Sequence, residues 1–362
     1  MKLYPVQIAE YIEKNGLSCS NHGLMHGNIG MGIFFYHLAR YTNNPDYNKI
    51  ADDLLDKAFE SMSSSVSVDF ENGLAGIGLG IEYLVQNNFI EADTDEILEE
   101  ADNKIFRALS ESHIQSFELD NGLTGYLFYL IYRLKNKKAP YSMAAQINKE
   151  LIILTINKID ELVTTQFPTI VKEMEFDLFW RFPIMILGLA ESYKLNVYNG
   201  KIECMFRQWL PYFEAYIPSL HINRLFLAVV LKHVNSLMPD KRLEKQIQIL
   251  LFATDFEILK TEVDHDALNI RNGWPGIALL LNIASKGIST DWPCFKMITQ
   301  TYNSITERHK NWVENFSQNI PLESTTDFGL SLGASGIGLM ELLWPRILTG
   351  SKFMSYQTKK VL

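Results

Sequence analysis

ENGLAGIGLGIEYLV, residues 71–85, decides the fold. Gly73 and Gly76 stand three apart, and an apolar run of helical length follows them. Four further segments repeat the arrangement: MHGNIGMGIFFYHLARY (25–41), DNGLTGYLFYLIYRL (120–134), RNGWPGIALLLNIAS (271–285) and SLGASGIGLMELLW (331–344). Their first glycines are Gly27, Gly122, Gly273 and Gly333. Gly27, Gly73 and Gly122 are spaced by 46 and 49 residues, while Gly122 to Gly273 spans 151, about three periods. Self-similarity at such a period marks stacked supersecondary units. Two degenerate units fill the long gap. LFWRFPIMILGLAESY (178–193) aligns its Phe182-Pro183 with Trp274-Pro275, and INRLFLAVVLKHV (222–234) takes the other slot. The units number seven.

Amphipathic segments alternate with these runs, at 48–62, 95–109, 147–163, 201–216, 244–259 and 295–309. The Asn-Gly pairs at 72, 121 and 272 read as helix starts, since a long apolar helical run follows each. A helix that is apolar all round is buried, and a two-faced helix covers it. The expected fold is therefore all-α: one domain over residues 1–362, an α/α toroid (a double α-barrel) of about seven inner and seven outer helices. Closure into a ring removes the exposed ends of an open solenoid. Parallel inner helices bring their N-termini to one face. The glycine pairs are expected there because they allow close backbone approach and a left-handed turn into the helix.

Composition narrows the function. The 362 residues carry 33 Lys+Arg against 42 Asp+Glu, a formal charge of -9. Such a balance argues against a main role in nonspecific nucleic-acid binding, which needs clustered cations, and against docking on anionic membranes. No apolar run reaches 18 residues, so no membrane insertion is expected. The first residues lack a signal-peptide pattern. Cys19, Cys204 and Cys294 are odd in number and far apart, which suits a reducing compartment, and the cytoplasm is the expected location.

GLMHGNIG (23–30), NGLAGIG (72–78), NGLTG (121–125), NGWPGIALLL (272–281) and LGASGIGLMELL (332–343) resemble the repeats of the lanthionine synthetase C-like proteins. Gly273-Trp274-Pro275-Gly276 matches a Gly-x-Pro-Gly signature of that family, and the resemblance covers nearly the whole chain. It implies a seven-fold α/α toroid. It also implies thioether-forming peptide cyclases, in which zinc held by two cysteines and a histidine activates a peptide thiol for addition to a dehydroamino acid. Zinc suits this because it lowers the pKa of a bound thiol. The family ligands lie in Trp-Cys-Tyr-Gly-x-Pro-Gly and Cys-His-Gly motifs. In one register Arg271 stands at the first cysteine, with Ser331 and Leu332 at the Cys-His pair. In the other, Arg271 and Asn272 replace that pair, and the fifth unit has Asn223 and Arg224 without a cysteine. Both registers lose all three ligands, and a protonated arginine cannot ligate zinc. The resemblance therefore implies no cofactor at the family site. Zinc is left only a separate site, for which Cys19, His22 and His26 have ligand-like spacing. Of the family's acid/base set, Glu118 stands where an Asp is found, four residues before the third glycine pair, and the fourth unit has Trp180 and Arg181 but no histidine.

Position at the inner-helix N-termini nominates the remaining candidates. Glu118, His26 and Arg271 form the candidate catalytic set, and Asp120, Arg181, Arg224, Asn272 and Trp274 the candidate substrate-binding set. Glu71, Asn72, Asn121 and His221 belong to the same mouth. His26 is expected to be neutral beside a helix N-terminus, and Asn72, Asn121 and Asn272 to cap helices. Arg181, Arg224 and Arg271 either converge on an anion or form ion pairs with Glu71, Glu118 or Asp120. Asp264, His265 and Asp266 are an acid/base cluster or a solvated loop, and 171–177 reads as surface.

Two function classes remain beside a scaffold without activity, with catalysis left open. One is a zinc-less family member that binds or helps modify a ribosomally made precursor peptide. It acts either as a holding partner of another maturation enzyme or as a catalyst through Glu118, His26 and Arg271. The other is a glycoside hydrolase with paired carboxylates drawn from Glu71, Glu118, Asp120 and Asp266, in a groove lined by Trp180, Trp274 and Tyr126. A non-catalytic scaffold with a plugged mouth is the third possibility.

Overall fold

The computed structural model describes residues 4–62, 67–111, 114–135, 142–170, 175–262, 267, 269–287, 294–316 and 327–349. Among them the only regular structure is helical. In chain order the first eight helices are α1 (Tyr4–Asn15), α2 (Asn28–Thr42), α3 (Asp46–Met62), α4 (Leu74–Gln86), α5 (Thr94–Ile97), α6 (Glu99–Glu111), α7 (Leu123–Lys135) and α8 (Met143–Ile170). The second eight are α9 (Arg181–Lys194), α10 (Asn199–Ala215), α11 (His221–Leu237), α12 (Lys241–Phe252), α13 (Phe256–Leu259), α14 (Trp274–Gly287), α15 (Cys294–Phe316) and α16 (Ala334–Thr349).

Seven helices close a ring. α2 contacts α4, α4 contacts α7, and the chain of neighbours runs on through α9, α11, α14 and α16 back to α2. Each has a partner outside it: α3, α6, α8, α10, α12 and α15 cover α2, α4, α7, α9, α11 and α14. This is the α/α toroid that the repeat predicts, with the two degenerate units at α9 and α11. Burial separates the two layers. Nine of the 13 residues of α4 are buried, against three of the 13 in α6. An inner helix meets two ring neighbours and its outer partner, so it needs apolar side chains on three sides.

The seventh outer helix is α1, which packs on α16. Its buried Tyr4, Ile8, Ala9 and Ile12 form one helical stripe, so the two ends of the chain complete one unit together. Two outer segments are broken. The run 95–109 divides at Leu98, and 244–259 divides at residues 253–255, where the Asp255 carboxylate accepts from the Glu257 and Ile258 N–H groups. An aspartate placed so starts a new helix.

Polar clamps tie the layers. Arg133 on α7 is 1% exposed and bonds Glu82 of α4, itself fully buried, and Asp102 of α6. Tyr129 donates to the same Asp102. Left-handed backbone occurs at the exits of inner helices, at Asn43 (φ 54°), Asn88 (φ 53°) and Asn196 (φ 56°). Asparagine tolerates that conformation. The glycines that lead into the helices are extended instead, with φ −137° at Gly27 and −105° at Gly73. The expectation of a left-handed turn at the helix starts is thereby corrected.

Candidate functional site

One loop geometry leads into the five glycine-bearing inner helices. The first helical N–H donates to the carbonyl seven residues earlier: Asn28 to Asn21, Leu74 to Ser67, Leu123 to Ser116, Trp274 to Ala267 and Ala334 to Asp327, at 2.9–3.2 Å. The glycines make room for this fold-back. A Cβ on Gly73 would lie 2.4 Å from the Ser67 oxygen, and one on Gly76 would lie 2.0 Å from the Phe70 oxygen. Real Cβ atoms do not approach oxygen so closely, so close packing explains the motif. Side-chain capping by asparagine is not how these helices start. Gly73, the N-cap of α4, has no side-chain cap, and Asp69 accepts from the Asn72 and Gly73 N–H groups. Asn72 instead accepts from the Asn21 amide.

The lead-in loops join around the axis. Met25 donates to the Glu71 oxygen, Phe70 to Asp120, Leu178 to Arg271, Arg271 to Ser331 and Ser331 to Met25. The bond from the fourth unit to the sixth passes over the fifth, whose helix is capped by Glu262 accepting from His221 and Ile222 at 2.9 Å. The parallel N-termini therefore meet at one mouth, and three charge clusters occupy it.

His26 lies between two carboxylates, Nδ1 against Asp327 and Nε2 against Glu71 at 2.9 Å. The hydrogen bond to Asp327 and then the Glu71 contact raise its pKa above the ordinary imidazole range, against the effect of burial. The shift runs opposite to the neutral imidazole expected beside a helix N-terminus. With a carboxylate on each nitrogen, the arrangement favours the imidazolium, in which both nitrogens donate. Arg271 bridges Asp120 and Asp177, with 2.9 Å contacts to each. Burial, the largest influence, holds the Asp177 carboxyl above its ordinary range despite the opposing Arg271 guanidinium, and the nearby Asp120 charge adds to the rise. Arg181 donates to Glu118 at 3.1 Å.

Of the three arginines, then, two form ion pairs at the mouth. Arg224 is held elsewhere, donating to the backbone oxygens of Pro218, Ser219 and Ala253. Asn272 is exposed. Trp274, Trp180 and Tyr126 are buried at 7%, 2% and 5% exposure, so they do not line an open groove. Asp177 is a half-buried mouth residue, which corrects the reading of its segment as surface; Glu175 is exposed and 171–174 lie outside the described residues. Asp264, His265 and Asp266 also lie outside them. The contribution of Asp327 was not read from the sequence, although its place six residues before Gly333 matches that of Ser67 before Gly73.

The zinc of the family cyclases does not fit the residues at its expected positions. Arg271 is pinned by two carboxylates, Ser331 and Asn223 are buried hydroxyl and amide side chains, and Leu332 is apolar. Cys19, His22 and His26 are not gathered either. His22 bonds the Asn28 amide at 2.9 Å, and His26 has a carboxylate on each nitrogen. Among the described residues no group of three or more His, Cys, Asp or Glu side chains is placed to hold a metal.

A closed ring of parallel inner helices, with fold-back loops meeting at a charged mouth, defines an α/α toroid. The family model for lanthionine synthetase C-like proteins matches residues 18–175. Nine chains of known structure match. Among them, one described as nisin cyclase superposes with a TM-score of 0.65, covering 96% of this chain and 94% of that one at 15% identity, a likeness of fold. No curated protein sequence matches. The family match and the structural likeness agree on the toroid fold. No described helix is long and apolar enough to cross a membrane.

Proposed function

We propose that this lanthionine synthetase C-like protein holds a basic segment of a ribosomally made precursor peptide at its mouth, without zinc, for a separate maturation enzyme in the cytoplasm. The observation that carries the reading is the charge of the mouth. Among the described residues, Glu71, Glu118, Asp120, Asp177 and Asp327 form ion pairs with three cations, Arg181, Arg271 and His26. An excess of carboxylates remains even with His26 charged, and converging helix N-termini favour that sign. These side chains are 16–41% exposed, within reach of a ligand.

Holding is favoured over catalysis because the candidate catalytic groups are already engaged. A general base needs a free lone pair, and His26 has none while both its nitrogens donate. Glu118 and Arg271 would each have to leave an ion pair. The hydrolase reading loses support because its aromatic side chains are buried.

Fluorescence anisotropy with labelled peptides of equal length tests the reading. A Lys/Arg-rich peptide should bind at least ~10-fold tighter than an Asp/Glu-rich one at low salt, with the difference shrinking as salt rises. Glu71→Gln and Glu118→Gln should each weaken the basic peptide by roughly 3- to 10-fold. Equal binding of both peptides would sink the proposal. So would one zinc per purified chain together with ring closure on a dehydrated, cysteine-containing peptide.

A further inference from the structure

The axis of the ring holds a second candidate site, at the end away from the mouth. Beneath the lead-in loops, with Met25, Phe70 and Leu119 as its roof, lies a cavity of about 700 Å³. Its wall repeats one register. Leu79, Phe128, Leu187, Val229 and Leu279 come from five successive inner helices, and each lies in the middle of its helix yet is only half-buried. Protein interiors are ordinarily close-packed, and a cavity of this size lies in the range of small-molecule sites. One turn further along stand Tyr132, Glu191, His233 and Ile283. Ile283 is 47% exposed, which marks the open end.

Charge changes sign at that end. Glu191 accepts from Lys135 at 2.9 Å, Lys194 at 2.8 Å and His233 at 3.1 Å. Lys232 lines the cavity and lies 3.5 Å from Glu244. Glu191, Lys232 and His233 line the cavity, and Lys135 and Lys194 flank it as partners of Glu191. Lysines suit the C-terminal ends of parallel helices, where the dipoles are negative.

We propose that this cavity binds an anionic amphiphile with one long alkyl chain, of the fatty-acid class. The chain lies along the Leu79, Phe128, Leu187, Val229 and Leu279 wall, and the carboxylate meets Lys135 and Lys194 at the open end. An alkyl chain fits better than a peptide. The wall is apolar side chain on helices whose backbone groups bond internally, so the amides of an entering peptide would find no partners. Glu191, the carboxylate that lines the cavity, already accepts from Lys135, Lys194 and His233, so a cationic head finds it taken while the lysines favour an anionic one.

The test is calorimetric titration of the delipidated full-length protein with dodecanoate, dodecanol and dodecylammonium, each below its micellar concentration. Dodecanoate should bind one to one and at least ~10-fold tighter than dodecylammonium. Val229→Trp fills the cavity and should weaken dodecanoate and dodecanol by ~10-fold or more, and Leu187→Trp, on a different helix, should do the same. Circular dichroism identifies which of these variants is folded. Lys135→Gln with Lys194→Gln should weaken dodecanoate alone, leaving dodecanol within about two-fold. Absence of dodecanoate binding, equal affinity for the ammonium, or indifference to a folded cavity-filling variant overturns the proposal. Competition by a basic peptide at the mouth also overturns it, because the two sites lie at opposite ends. The peptide reading stands or falls separately, on its own anisotropy measurement.

Discussion

Replacing Gly76 by alanine sets two physical effects against each other. Alanine is the better helix former by about 1 kcal/mol, so propensity alone predicts a more stable protein. The added Cβ would lie 2.0 Å from the Phe70 carbonyl oxygen and 3.1 Å from its carbon. Ordinary carbon–oxygen contacts are near ~3.3 Å, so the loop would have to retreat by more than ~1 Å. No rotamer change relieves a backbone clash. Phe70 is also bonded to the Asp120 carbonyl at 2.9 Å, so the shift reaches the mouth. Overpacking of this kind costs ~3 kcal/mol at the upper end of its usual range. The net expectation is a loss of about 2 kcal/mol. Gly200 supplies the control. A Cβ there meets nothing within 4 Å, so Gly200→Ala should stabilise by up to ~1 kcal/mol. At ~2.1 cal/mol/K per residue, the unfolding entropy of 362 residues is roughly 0.8 kcal/mol/K. Each kcal/mol then moves Tm by about 1.3 °C. Scanning calorimetry should show Gly76→Ala roughly 2–3 °C below the wild type and Gly200→Ala up to ~1 °C above it. If Gly76→Ala melts at or above the wild type, the fold-back explanation of the glycine pairs is wrong.

Other expected outcomes follow from the charge clusters. The raised pKa of His26 means that its stabilising contribution is complete below the ordinary value of ~6.5 and is lost as pH rises through the folded value. Between pH 5 and 9 the wild type should therefore lose Tm relative to His26→Gln across that window, and parallel curves would refute the pairing. Arg271→Met leaves Asp120 and Asp177 facing each other without their shared cation, at a cost of ~1–3 kcal/mol for this partly exposed cluster. Urea unfolding should find that deficit smaller at low pH, where the carboxylates protonate. A deficit independent of pH would assign it to the lost stacking of Arg271 on Phe179, which lies 5.2 Å away. Glu82→Leu removes one partner of the buried Arg133 and should lower stability by ~2–4 kcal/mol. Adding Arg133→Leu should recover part of the loss, and a strictly additive double variant would show that the two groups are not coupled.

The ring is legible in the amino-acid pattern alone. Its glycine pairs recur in phase, and the alternation of all-apolar with two-faced helices leaves each unit unable to bury its surface alone. Even the degenerate units at 178–193 and 222–234 were legible, because apolar periodicity survives the loss of glycine. Which residues stand at the positions of the family's zinc ligands was legible too, since that depends on residue identity alone. The wiring of the mouth, by contrast, emerges from long-range contacts. Asp327 reaches His26 across 301 residues and Asp177 reaches Arg271 across 94, distances over which no local pattern operates. The same holds for Arg224, which spacing places with the other arginines but which bonds a turn and a helix end of its own unit. The axial cavity is of this kind too. Every apolar residue in an inner helix looks alike in sequence, and closure of the ring selects which one per unit faces the neighbours and which faces the empty axis. Periodicity encodes which surfaces must be buried, while ring closure decides which charges meet and where space is left over.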